Sequence, residues 1–176
     1  MNLYPALKTG QLLVAIAPHA AREEATHLAV ELALRGPVTV LDGGNRFAPY
    51  RVAHLLRSRT VAVADAAERL SIRRAFTCYQ VLALLENAPS LQQPHLVLDL
   101  LGTFYDDQVP NREVSRLLDL CLRQIDRLCM GAPVAIMLAP PVTLERTFLV
   151  EMVCERADQL FLPETVPGQP AQSELF

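Results

Sequence analysis

Apolar residues fall along this chain in short dense runs, separated by longer stretches where they recur every three or four positions. Leu12-Leu13-Val14-Ala15-Ile16 is a nearly continuous apolar run, as expected of a parallel strand covered on both faces. Past Ala17-Pro18-His19 the apolar positions become Ala21, Ala25, Leu28, Ala29 and Leu32, the spacing of an amphipathic helix. Gly36-Pro37 closes that helix, and Val38-Thr39-Val40-Leu41 predicts a second strand running into Asp42-Gly43-Gly44. A short helix is expected over 51–56, after Pro49. Residues 58–70 read two ways, since TVAVADAAERL begins like strand and finishes like helix. Residues 71–76 alternate and predict a strand, with Thr77 as the cap of a helix over 79–85.

The second half of the pattern is clearer. Residues 95–101 (HLVLDLL) predict a buried strand interrupted by one acid. In 110–129 the residues Val114, Leu117, Leu118, Cys121, Leu122, Ile125, Leu128 and Cys129 form one broad stripe, and Gly131 stops the helix. Residues 133–138 (PVAIML) predict another strand, Thr143 a cap for a helix running to about residue 156, and 160–162 a last short strand. Residues 163–176 carry three prolines, one glycine and two glutamines, the composition of a flexible tail. Strand alternating with helix in this way predicts an α/β fold, a parallel sheet sandwiched by helices, as one domain over 1–162 with a tail over 163–176.

Composition narrows the class further. At 176 residues the chain can bury a full core without staples. Its 51% hydrophobic content and mean hydropathy of +0.22 suit a sheet covered on both faces, with apolar surface left for a partner. No apolar run reaches the roughly 18–20 residues that cross a bilayer, and MNLYPALKTG has no basic region followed by an apolar core. Cys78, Cys121, Cys129 and Cys154 lack CxxC spacing, and Cys121 and Cys129, on the apolar face of a helix, are expected as core thiols in a reducing, cytoplasmic setting. A net charge of −3 excludes a globally basic nucleic-acid binder while leaving room for a local patch.

Ligands of open parallel sheets bind beyond the carboxyl ends of the strands, where Asp42 and Asp99 fall. As a pair they can hold a divalent cation or activate a water, which is the chemistry of a metal-dependent enzyme. Alternatively Asp42 opens a turn with Gly43-Gly44, and Asp99 is a buried acid bonded to loop amides. His19, His27, His54 and His95 have no ligand spacing with one another or with the cysteines, so no metal site is expected from them. The first strand and helix have the architecture of a phosphate-binding loop without its chemistry. Laid on GxxxxGK[ST], His19 and Glu24 fall on the glycines, Ala25 on the lysine, and only Thr26 keeps its type. Glu23 and Glu24 suit a helix N-terminus and would repel a phosphate there.

Four segments, LDGGNRFAPYRV, SIRRAFTCYQVLALLE, HLVLDLLGTFYDD and VSRLLDLCLRQIDRLCMGAPVAIMLAP, resemble in that order the core of RecA-type recombinases over roughly 11–140. That family's D-x-E-G-x-F-x-x-x-R phrase appears as Asp42-Gly43-Gly44-Asn45-Arg46-Phe47 with Arg51 following, and its A-R-A-F phrase as Arg73-Arg74-Ala75-Phe76. The strand that ends in its magnesium-coordinating acid appears as Leu96-Val97-Leu98-Asp99. The resemblance implies a RecA-like fold and work in recombination, DNA repair or the SOS response. It also implies that the family's catalytic glutamate falls on Gly44 and its nucleotide sensor near Ala139. What remains of a degenerate nucleotide site is Thr26, Asp42 and Asp99. The expectation is therefore a protein without catalysis or cofactor, similar to the SulA and ImuA type of SOS proteins or to recombinase paralogues, acting through protein contacts.

Two binding surfaces are expected, one from that resemblance and one from the last residues. The loop after the Asp99 strand faces single-stranded DNA in the family, and here offers Tyr105, Arg112 and Arg116, interrupted by Asp106 and Asp107, so weak DNA binding is the most it implies. The last five residues, QSELF, resemble the Gln-x-x-Leu-Phe peptide that docks on the bacterial sliding clamp, which assigns Gln172, Leu175 and Phe176 to a partner. The expected partners are a repair polymerase, a recombinase or the clamp, and no membrane.

Overall fold

Six short strands, four of them built from the dense apolar runs, form one parallel sheet, and the helices between them cover it on both sides. In this computed structural model, residues 3–90, 92–141 and 143–162 are described. The chain runs β1 (Leu12–Ile16), α1 (Arg22–Ala33), β2 (Val38–Asp42), α2 (Pro49–Arg57), α3 (Val63–Glu68), β3 (Leu70–Arg74) and α4 (Cys78–Glu86). It continues with β4 (His95–Leu98), α5 (Asn111–Cys129), β5 (Val134–Leu138), α6 (Thr147–Cys154) and β6 (Gln159–Phe161). The strand order is β3-β2-β4-β5-β1-β6, every pairing parallel, which is a RecA-like α/β arrangement.

Register explains why the runs are continuous rather than alternating. Ile136 of β5 stands between Val14 of β1 and Val97 of β4, and Val97 is in turn beside Leu41 of β2. Every residue of β2, β4 and β5 is buried, so both faces of each strand must be apolar. One face packs under α4, α5 and α6, the other under α1, α2 and α3. The stripe of α5 buries all eight of its apolar positions, each contributing roughly 1.5–3 kcal/mol relative to exposure. Arg127 then ties this helix to the end of α4, donating from its guanidinium to the Leu85 and Ala88 carbonyls at 2.9 and 3.1 Å.

The expected boundaries shift where local geometry intervenes. The fourth strand ends at Leu98, not 101, because Asp99 has a left-handed φ of 48° and turns the chain; Leu100 and Leu101 stay buried in that turn. Within the ambiguous 58–70 stretch only 63–68 is helix, as α3, with turn and irregular chain before it, and β3 begins at Leu70. β3 is one edge of the sheet, and Ser71, Ile72, Arg73 and Arg74 are all exposed, so its charges guard an unpaired edge against association. Thr77 caps α4 as expected, its hydroxyl accepting from the Gln80 amide at 3.2 Å. Thr143 makes no such bond; a short 3-10 turn, Leu144–Arg146, precedes α6 instead. The cysteines are free thiols, and burial pushes Cys121 and Cys129 up to about 12. No described helix is long and apolar enough to cross a membrane.

One buried group makes the fold sensitive to acid. His95, the first residue of β4, is fully buried, with Nε2 3.2 Å from the Pro89 carbonyl and Nδ1 without a partner. Burial holds its pKa below the ordinary 6.5, and the Arg127 charge adds to the effect. The unfolded chain therefore binds a proton that the native state refuses, so stability is full above 6.5 and declines as pH falls below it. Urea melts across about pH 7 to 5 should show this decline, and His95→Leu should flatten it.

Candidate functional site

The site grows from the carboxyl ends of β1, β2 and β4. After β1 the chain turns through His19, Ala20 and Ala21 with φ of 56°, 53° and 48°, three consecutive left-handed residues without a glycine. Such residues cost about 1–2 kcal/mol each, and the small buried alanines are what permit the turn. Within the turn the Ala20 amide donates to the Ala17 carbonyl, and just before it the Ala17 amide donates to Leu138, both at 3.0 Å. Beneath the turn lies a cavity of about 10 Å³ among Ala20, Ala25, Thr26, Arg46 and Phe47, enough for one water at most. Thr26 donates its hydroxyl to the Arg22 carbonyl at 2.8 Å. Outside the turn is an open groove of about 390 Å³, faced by Arg22 and Arg51 but also by Glu23 and Glu24.

Asp42 and Asp99 are both buried, and both are occupied. Asp42 accepts the Arg46 and Phe47 amides at 2.8 and 3.0 Å, and Arg74 Nε lies 3.4 Å from its Oδ2. Asp99 accepts Arg46 Nε at 3.0 Å on Oδ2, while Oδ1 is buried with no partner. Of the two ordinary roles expected for these acids, Asp42 takes the turn-opening one; Asp99 meets a guanidinium rather than loop amides. Arg46 thus joins the two acids, its amide on one and its side chain on the other. The arrangement does not suit a divalent ion, since each carboxylate already faces an arginine. Among the described residues no group of three or more His, Cys, Asp or Glu side chains converges for metal ligation.

Glycine packing explains why this node is so tight. A Cβ on Gly44 would sit 2.2 Å from Asp99 Oδ2 and 2.5 Å from its Cγ, and one on Gly102 would sit 2.8 Å from Oδ2. The position on which the resemblance lays a catalytic glutamate therefore has no space for any side chain. Neither the sequence separation of Gly44 and Asp99 nor the residue types announced that contact. Arg46 and Arg74 stood inside the phrases already singled out, with nothing to mark them as partners of the acids.

The residues assigned to DNA are not gathered into one surface. Tyr105 donates its hydroxyl to the Ala139 carbonyl at 2.8 Å and packs against the core. Burial, and then the charge of Asp99, raise its phenol far above the ordinary value. Phe104 is fully buried, and Arg146, itself buried, donates to the Phe104, Asp106 and Val109 carbonyls at 2.7–3.0 Å, stapling the loop inward. No sequence signal pointed to Arg146. Arg116 is engaged with Glu113 through two bonds of 2.9 and 2.7 Å, leaving Arg112 exposed without an ion pair among the described residues. Gln172, Leu175 and Phe176 lie outside the described residues.

No family model matches this sequence, and no curated protein matches it.

The glycine contacts carry a direct expectation. Gly44→Ala should lose about 3 kcal/mol in urea unfolding and Gly102→Ala about 1–2, since overpacking against a fixed carboxylate cannot relax cheaply. Gly36→Ala, where a Cβ meets nothing within 4 Å, should be neutral or gain up to about 1 kcal/mol.

Proposed function

We propose that this chain is a degenerate member of the RecA-type superfamily, a non-catalytic adaptor in DNA recombination, repair or damage tolerance that acts through protein contacts. The observation that carries the reading is the contact of Gly44 with Asp99, which closes the position where the resemblance puts the water-positioning carboxylate. A glycine-free left-handed turn where the resemblance would put a phosphate cradle, with Glu23 and Glu24 on the first turn of α1, supports it. Phosphoryl transfer is almost wholly positioning and charge stabilisation, so a chain lacking the lysine, the cradle and the carboxylate lacks the means for it.

In this reading the tail supplies the contact. Gln172 offers an amide to a polar subsite of a bacterial sliding clamp, and Leu175 with Phe176 fills an apolar pocket from a polar tether, VPGQPAQ. A second reading, residual weak binding of nucleotide or single-stranded DNA, is favoured by one feature, the groove that Arg22 and Arg51 face. Its carboxylates count against it.

Titration of bacterial clamp with the full chain should give micromolar binding that is absent in a form truncated after Ala171. Equal binding by both forms, or none by either, removes the tail from the account. In the same preparation, turnover of ATP with magnesium should stay at background. Turnover that Asp99→Asn abolishes would overturn the non-catalytic reading.

A further inference from the structure

No residue of β3 is buried, and one side of its backbone has no strand to bond. The Val38 amide donates to the Arg69 carbonyl at 2.8 Å and the Ala75 amide to the Asp42 carbonyl at 3.0 Å. The odd-numbered residues of this stretch therefore bond inward to β2. By the two-residue period of a strand, the amides and carbonyls of Leu70, Ile72 and Arg74 are aimed away from the sheet. Another extended segment can bond there without any element moving.

The side chains along the edge decide which segment fits. Arg69 donates to the Ala33 and Leu34 carbonyls at 3.1 and 3.3 Å, at the end of α1. Arg73 donates to the Asn87 carbonyl at 3.1 Å, at the end of α4. Both guanidiniums are thus anchored by backbone oxygen, and neither forms an ion pair among the described residues, whereas Arg74 faces Asp42 at 3.4 Å. The exposed acids on the neighbouring helices, Asp65, Glu68 and Glu86, leave the two charges uncompensated. Between them stands Ile72, exposed, with exposed Phe76 just past the strand.

We infer that the β3 edge receives an extended acidic segment of a partner protein, added as a seventh strand whose carboxylates meet Arg69 and Arg73 and whose apolar residues cover Ile72. Main-chain bonds supply affinity in such pairing, and side chains supply choice. The same arginines repel the matching edge of a second copy, so the charge that blocks self-association selects the partner. The inference rests on the reading of the chain as an adaptor acting through protein contacts, and gives it a contact surface separate from the tail.

Residue-resolved amide exchange of the full chain, with and without a capped peptide of about nine alternating glutamates and valines, tests this. The peptide should bind with Kd on the order of 0.1–1 mM and slow the amides of Leu70, Ile72 and Arg74. Ser71 and Arg73, whose amides already face β2, should be unchanged. Arg69→Gln/Arg73→Gln should weaken binding about fivefold or more. Ile72→Pro removes only an outward amide, so it should fold and bind no peptide, which keeps the test decisive if the double variant does not fold. No slowing with the peptide, or slowing without the two-residue alternation, would overturn strand addition. Equal binding of a lysine–valine peptide, or protection of the same amides by a thymidine oligonucleotide and not by the acidic peptide, would overturn the choice of partner. The tail takes no part in these measurements, so the clamp titration succeeds or fails on its own.

Discussion

A carboxylate sealed between two glycine backbones is the constraint on which this molecule turns. Asp99 ends the central strand β4 in a left-handed conformation, and that conformation sends Leu100, Leu101 and Phe104 down into the core while the carboxylate turns toward the β2 loop. The burial cost of the charge is offset by Arg46 only because Asp42 orders the loop that carries it. Two acids and two arginines thus couple three segments of sequence, the ends of β2, β3 and β4, at the edge where an open parallel sheet ordinarily receives its ligand. Such a network is costly if half satisfied, and breaking one member leaves the others stranded in low dielectric.

The residues that the resemblance would assign to a nucleotide site are engaged within the chain itself. Asp42 and Asp99 have structural work that is independent of any phosphate. Thr26 bonds its own helix, as a threonine in a helix interior readily does. Within the turn at His19–Ala21, the Ala20 amide is bonded to the Ala17 carbonyl. The loop after β4, drawn inward by Arg146 and Tyr105, likewise contributes to the core and not to an open surface. Exposed arginines instead lie along the β3 edge.

Much of the fold was legible because burial imposes period. The β5 run and the eight-position stripe of α5 could be read directly, since a strand covered on both faces and a helix covered on one leave different spacings. Legibility failed where a residue's conformation depends on partners far along the chain. Nothing in HLVLDLL says that Asp99 will take a positive φ; that depends on Gly44 and Gly102 leaving room for it. The β3 edge carried a weak pattern because neither of its faces is buried. The acids of the site were visible, but their neutralisation was not, because arginine reach is a three-dimensional property that spacing does not encode. Arg146, satisfied wholly by backbone carbonyls, left no trace in the pattern at all.

Hydrogen–deuterium exchange with and without saturating ATP and magnesium tests the central claim most directly, because it reports on the node itself. A site closed from within predicts that the amides of 17–21, 43–47 and 99–103 exchange at the same rates in both conditions, slow throughout at Arg46 and Phe47, whose N–H groups are bonded to Asp42. Protection of the 17–21 turn that appears only with ATP, and disappears in Asp99→Asn, would contradict it.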